Sequence, residues 1–182
     1  MSTFVALLRG INVGKAKRIP MEVLRALLAE LGYSPVATLL NSGNAVFRAA
    51  KGASMDHAAA ISDALARQLQ PDVPVIVHSS REFAAVVAEN PWPSAPDPSR
   101  LLVAFVQDAQ ALSGLRAIER LLAPSDQFFL GQHAAYLYCA GGILESKAGE
   151  ALLGKLGKQC TTRNWATVCK LQALLHSTET AV

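Results

Sequence analysis

Phe4-Val-Ala-Leu-Leu-Arg-Gly-Ile-Asn-Val-Gly-Lys15 opens the chain with an apolar run of strand length that stops at Arg9 and Gly10. A loop follows, carrying Asn12, Gly14 and Lys15. Two glycines free its backbone to adopt positive φ, and two basic groups and an amide stand on it. A loop at a strand end is a natural place for a ligand. The strict phosphate-loop motif fails here: three residues separate the glycines where four are needed, and Ala16 stands where a magnesium-binding Ser or Thr belongs. Two readings stay open. Exposed N–H groups and Lys15 can cradle an anion, or the glycines serve a tight turn and Asn12 bonds to its own backbone.

Working outward, Pro20 suits the first turn of a helix whose inner face is Met21, Leu24, Leu27, Leu28 and Leu31, with Gly32 as its stop. Val36 to Leu40 reads as a second strand, Asn41-Ser-Gly-Asn44 as a hairpin turn, and Ala45 to Arg48 as a third strand. Ser54 can cap a helix carrying Ile61, Leu65 and Leu69, closed by Pro71, and Val73 to Val77 gives a fourth strand. The order is β-α-β-β-α-β, that of a ferredoxin-like unit. In such a sheet the 41–44 turn is expected at the end opposite the first loop, so its residues read as turn chemistry alone.

Ser79-Ser-Arg-Glu82 is a capping box for a short helix with Phe83, Val86 and Val87. Pro91, Pro93, Pro96 and Pro98 then mark a stiff linker. Beyond it the order starts again: a strand at Leu101–Val106, and a helix with Leu112, Leu115, Ile118 and Leu122. A hairpin of Gln127–Leu130 and Ala134–Cys139 follows, then a helix that Ser146 can cap. In place of a clear fourth strand stands Thr161-Thr-Arg-Asn164, followed by a last helix with Trp165, Val168, Leu171 and Leu175. The expected fold is α+β, two tandem ferredoxin-like halves of βαββαβ type with extra helices, the last at the C-terminus. Residues 1–90 form the first half, 91–99 the linker, 100–176 the second half and 177–182 a tail.

Several blocks together resemble the domain of unknown function 1697 family. They are Leu7-Leu-Arg-Gly-Ile-Asn-Val-Gly14, Asn41-Ser-Gly-Asn44 with Val46-Phe47, Asn90-Pro91, and Thr161-Thr-Arg-Asn-Trp165 through Lys170-Leu171. The resemblance implies an α+β fold of two ferredoxin-like halves and no particular activity. Lys15 stands where the family commonly has a second glycine, which stiffens the loop and makes it more basic.

Composition bounds the function. Half of the 182 residues are hydrophobic and 17% are charged. There is no apolar run long enough to cross a membrane and no signal-peptide pattern, so a cytoplasmic protein is expected. Cys139, Cys160 and Cys169 form no CxxC pair and read as reduced thiols. His57, His78, His133 and His176 show no metal-ligand spacing, and no serine sits in a nucleophile elbow, so neither a metal nor another cofactor is expected. A net charge of +3 does not announce nucleic acid. Its distribution is uneven, however: no acid occurs from Met1 to Met21 or from Ala151 to Thr178, while both stretches are basic.

The expected ligand is therefore a small anion, a nucleotide or phosphate-bearing metabolite, held between the halves. Arg9, Asn12 and Lys15 would come from the first loop. Thr162, Arg163 and Asn164 would come from the start of the last helix, and Lys147 from the helix start after Ser146. Three alternatives stay open. The same pocket can turn over a phosphorylated substrate. The sheets can bind RNA, with Tyr136 and Tyr138 on one strand face as stacking residues, although the RNP1 pattern is absent. Or the signature residues hold the protein together and bind nothing.

Overall fold

The computed structural model describes residues 1–14, 18–50, 52–69 and 72–181. Lys15 lies outside them. The chain forms two compact units, Met1–Phe83 with Leu171–Val182, and Ala84–Lys170.

The first unit holds a four-stranded antiparallel sheet of β1 (Ser2–Leu8), β2 (Val36–Leu39), β3 (Asn44–Ala49) and β4 (Val75–Ser79), in the order β2-β3-β1-β4. Helices α1 (Met21–Glu30) and α2 (Ser54–Gln68) follow β1 and β3 in the chain. Leu24, Leu27 and Leu28 of α1 and Ile61 and Leu65 of α2 join Phe4, Ala6, Leu8, Ala45 and Phe47 in one buried cluster. That is the helical spacing the sequence predicts, laid on one alternating face of the strands. Helix α1 ends as Gly32 predicts: its φ is +83°, Tyr33 N–H bonds Leu28 O at 3.2 Å and Gly32 N–H bonds Ala29 O at 2.9 Å.

The 41–44 turn departs from expectation. β1 and β2 both pair antiparallel with β3, so they run parallel to each other and finish at the same edge of the sheet. The turn after β2 therefore packs against the loop after β1. Leu8 N–H bonds Gly43 O at 2.8 Å, and a Cβ on Gly43 would stand 2.7 Å from Leu8 Cβ and 2.8 Å from Ile11 Cδ1. Gly43 has a φ of +80°, so both space and conformation call for glycine.

Helix α3 (Ser80–Glu89) begins with the predicted capping box. Ser79 N–H and Oγ donate to Glu82 Oε2 at 2.7 and 2.8 Å, and Glu82 N–H donates to Ser79 Oγ at 3.2 Å. Ser54 Oγ, at the start of α2, donates to the same oxygen at 2.5 Å. Burial pushes the Glu82 carboxyl up, but these hydrogen bonds together outweigh it and hold it below the usual range.

His57 of α2 is enclosed by aromatic rings. Its ring lies 4.5 Å from Phe4 and 5.3 Å from Tyr33, whose hydroxyl meets Nδ1 at 2.9 Å. Nε2 has no partner among the described residues. Desolvation lowers the imidazole pKa from 6.5, partly offset by Asp56. The unfolded chain therefore takes up this proton first as pH falls. His57 contributes stability that is complete above about pH 7 and declines as pH drops below about 6.5 toward the lower native value. Chemical denaturation across that range should show the decline in wild type and a flatter profile in His57→Phe. Equal slopes would show that the buried ring is not the titrating group.

The second unit holds β5 (Leu101–Val106), β6 (Gln127–Leu130), β7 (Ala134–Tyr138) and β8 (Cys160–Asn164), in the order β6-β7-β5-β8. β8 is a correction to the reading of 161–164 as no clear strand. It pairs antiparallel with β5, Val103 opposite Arg163 and Val106 opposite Cys160. A second difference lies at Ala109–Leu121, a long 3₁₀ segment rather than an α-helix. The reason is in the spacing: Leu112, Leu115, Ile118 and Leu121 recur every three residues, the period of a 3₁₀ helix, and all face one core. Helix α4 (Lys147–Leu153) and helix α5 (Trp165–Thr180) complete the chain. Among the described residues, no helix is long and apolar enough to cross a membrane.

Candidate functional site

Asn12 sits in the left-handed region with φ +56°, between Gly10 at +68° and Gly14 at +58°. Asparagine tolerates that conformation better than most side chains. Its Oδ1 accepts from Ile19 N–H at 2.8 Å, while Nδ2 donates to Ile19 O at 2.8 Å and Asn41 O at 2.7 Å. The amide thus pairs with Ile19 as a neighbouring strand would, and ties the first loop to the hairpin turn. Asn12 bonds the backbone of Ile19 and Asn41 rather than its own, and so reaches a second loop.

This clamp shapes one wall of an open groove of about 500 Å³, lined by Asn12, Arg18, Ile19, Pro20, Met21, Glu22, Arg25 and Asn41. Helix α1 starts at the groove. Its N-cap is Pro20, which has no side-chain acceptor to offer the first N–H groups. Arg25 donates through Nη1 to Thr38 Oγ1 of β2 at 2.6 Å, and Arg18 through Nη2 to Gly14 O at 3.3 Å. Each of these bonds uses one of the five N–H groups that a guanidinium carries. The wall thus offers two positive charges, one of them held by Thr38, the positive end of a helix dipole and one carboxylate, Glu22.

The sequence-predicted residues fall into both units. Arg9 follows β1, half-buried, with its N–H on Pro74 O at 2.9 Å. In the second unit, Thr162, Arg163 and Asn164 are consecutive in β8. Asn164 Oδ1 accepts Thr167 N–H at 2.9 Å and so caps α5, as its position predicts. Arg163 is buried, and its Nη1 donates to Thr161 Oγ1 at 2.9 Å and Thr162 O at 2.8 Å. Desolvation lowers its pKa to about 10, so the guanidinium keeps its charge at neutral pH. Lys147 is exposed at the start of the seven-residue α4, where Ser146 Oγ accepts Gly149 N–H at 3.1 Å. Tyr136 is fully buried and its hydroxyl donates to Val86 O at 2.6 Å, which leaves no ring face for a base to stack on.

Arg18, Glu22, Arg25 and Asn41 line the groove without having been chosen from the sequence. Arg25 stands between the inner-face residues Leu24 and Leu28, a boundary position that helical spacing alone assigns to solvent. Only the pairing of β2 beside α1 gives it Thr38 as a partner.

Fold and site together define an α+β protein of two four-stranded antiparallel sheets, with an open cationic groove in its first unit. The chain belongs to the family described as protein of unknown function (DUF1697), which matches residues 1–136. The signature block at 161–171 lies beyond that match. The conserved bacterial protein SP0830 from Streptococcus pneumoniae has a similar structure, with a TM-score of 0.78 and 22% identity. The alignment covers 96% of this chain and 98% of that one. At that identity the likeness is one of fold. Comparison with curated proteins gives no match.

Proposed function

We propose that the first unit binds a small phosphate-bearing ligand, of nucleotide size, in the groove at the start of α1. The observation that carries this reading is Arg18 and Arg25 on the wall of a 500 Å³ groove, beside a helix start that Pro20 leaves without a side-chain cap. The volume falls within the range of small-molecule sites. Arg25, held by Thr38, offers a pre-oriented fork for two phosphate oxygens, and the Asn12 clamp fixes the loop opposite. Glu22 can take a hydroxyl or amine of the same ligand.

The same reading treats the two units as variants of one ferredoxin-like plan. Its support is the shared element order and the matching strand orders β2-β3-β1-β4 and β6-β7-β5-β8.

Thermal unfolding with nucleotides, inorganic phosphate and phosphorylated sugars tests the proposal, for wild type and Arg25→Gln. A ligand at a hundred times its dissociation constant should stabilise wild type by about 2.7 kcal/mol. Arg25→Gln, compared with its own ligand-free midpoint, should lose that shift. If no phosphorylated compound moves the wild-type midpoint, the groove is not an anion site. A shift that Arg25→Gln retains would place the ligand elsewhere.

A further inference from the structure

Helix α1 carries charges of both signs into the groove, and they do not neutralise each other. Glu22 is the second residue of α1 and Arg25 stands three further on. Side chains so spaced are neighbours on a helical surface, with about 5–6 Å between Cβ atoms, a separation that suits an ion pair. Among the described residues, however, Glu22 pairs with neither Arg25 nor Arg18. Arg25 turns to a neutral oxygen instead, Thr38 Oγ1 at 2.6 Å, and Arg18 to another, Gly14 O at 3.3 Å. All three side chains line the same groove.

Water solvates the Glu22 carboxylate while the groove is open. A phosphate seated on the guanidiniums and the helix start changes those surroundings. It sets about two further negative charges beside Glu22 and displaces water that screened it. Like charges at that range oppose each other unless a donor stands between them. The groove therefore disfavours a bare phosphate and favours one that brings its own counter-charge. A hydroxyl donates to a carboxylate but leaves both negative charges in place, whereas a cationic amine donates and cancels one of them.

We infer that the ligand of this groove is a phosphate monoester that also carries a cationic amine. Arg25 and Arg18 take the phosphate, and Glu22 takes the ammonium. The inference rests on the phosphate reading of the groove and narrows its ligand class.

Isothermal titration of the full chain, at neutral pH and fixed low ionic strength, tests it with two matched pairs of probes. One pair is O-phosphoethanolamine and ethyl phosphate, which differ by the amine. The other is glucosamine 6-phosphate and glucose 6-phosphate, in which an amine replaces a hydroxyl. In at least one pair, wild type should bind the amine-bearing member about tenfold more tightly, the worth of one charge-assisted hydrogen bond. Glu22→Gln should invert that order. The plain phosphate gains affinity because a like charge is gone, and the amine-bearing one loses its partner. A Glu22 that is only solvated predicts otherwise, a gain for all four probes. Equal binding within both pairs by wild type, or a Glu22→Gln effect of the same sign on both members, overturns the inference. Either result leaves the phosphate reading standing, provided that Arg25→Gln abolishes binding. If no phosphorylated probe binds wild type, the phosphate reading fails and the inference fails with it. The ligand-free midpoint of Glu22→Gln should stay within a degree or two of wild type, since Glu22 is exposed, so the titrations compare folded proteins.

Discussion

Asn12→Ala should lower the unfolding free energy by about 3 kcal/mol, although the position is a loop residue half-exposed to solvent. The substitution removes the three hydrogen bonds that Asn12 makes with Ile19 and Asn41. It leaves the N–H of a residue only 1% exposed, Ile19, without its acceptor. It also forces alanine into φ +56°, which costs roughly 1 kcal/mol. Asn12→Gly separates the two effects. Glycine accepts the backbone conformation and makes none of the bonds, so its loss should be smaller than that of alanine by about 1 kcal/mol. For a chain of this length the alanine variant corresponds to a midpoint lower by roughly 10 °C. If both variants melt within a degree or two of wild type, the clamp contributes nothing and the first loop is held by other contacts. The pair also bears on function. A loop loosened by Asn12→Gly, with every cation of the groove in place, should weaken phosphate binding only through lost preorganisation. Arg25→Gln removes the charge itself.

The elements legible in the sequence are those where local chemistry and core packing agree. The α1 face of Leu24, Leu27 and Leu28, the Gly32 stop, and the capping box of Ser79 and Glu82 are each decided within a few residues, and each forms as read. What escapes is decided by partners distant in the chain. β8 is a polar run, Cys-Thr-Thr-Arg-Asn, with no apolar alternation to announce it; it becomes a strand because β5 offers an open ladder, and its threonines suit a sheet. The 3₁₀ segment was legible after all, in the strict spacing of three from Leu112 to Leu121, which an α-helical template absorbs by substituting Leu122.

The candidate groove is the less legible part. Asn12 stands out by its place between two glycines, but its bond to Asn41 depends on β1 and β2 finishing at one sheet edge. Arg25 looks like any solvent-facing helical arginine until β2 brings Thr38 to it. Arg163 shows the converse. Its position before a helix reads as an exposed anion site, yet alternation along β8 turns it into the protein, where Thr161 Oγ1 and the Thr162 carbonyl accept from its Nη1. A helix start gives a direction for charge; a sheet register decides whether a side chain can follow it.

Glu89 carries the second large expected effect, and nothing in its sequence context marks it. The carboxylate of this last residue of α3 lies in the bend of the β6–β7 hairpin. Oε1 accepts Gln132 N–H at 2.5 Å, and Oε2 accepts the N–H groups of His133 and Ala134 at 3.0 and 3.2 Å and the Tyr136 hydroxyl at 3.2 Å. Successive N–H groups in a tight turn make a small anion-binding concavity, and here a side chain of the same unit fills it. Gly131 makes the approach possible, since a Cβ there would stand 2.1 Å from Oε2. Glu89→Ala should cost about 2–4 kcal/mol, because hydrogen bonds to an ionised acceptor are the strong ones and water reaches only part of the bend. Glu89→Gln should recover part of that: one oxygen still accepts, but an NH₂ group now faces N–H donors. Tyr136→Phe in each background measures the coupling, expected near 1 kcal/mol for groups in direct contact. Amide exchange places the effect, because Gln132, His133 and Ala134 should exchange faster in Glu89→Ala, while the groups of β1 and β3 in the other unit keep their protection relative to global unfolding. Unchanged exchange in the 132–134 bend would mean that the turn is self-sufficient and the carboxylate only rests on it. The same bend sets the register that packs the Phe128 and Leu130 side chains on the core, so a Glu89→Ala protein that still folds should also exchange faster along β6.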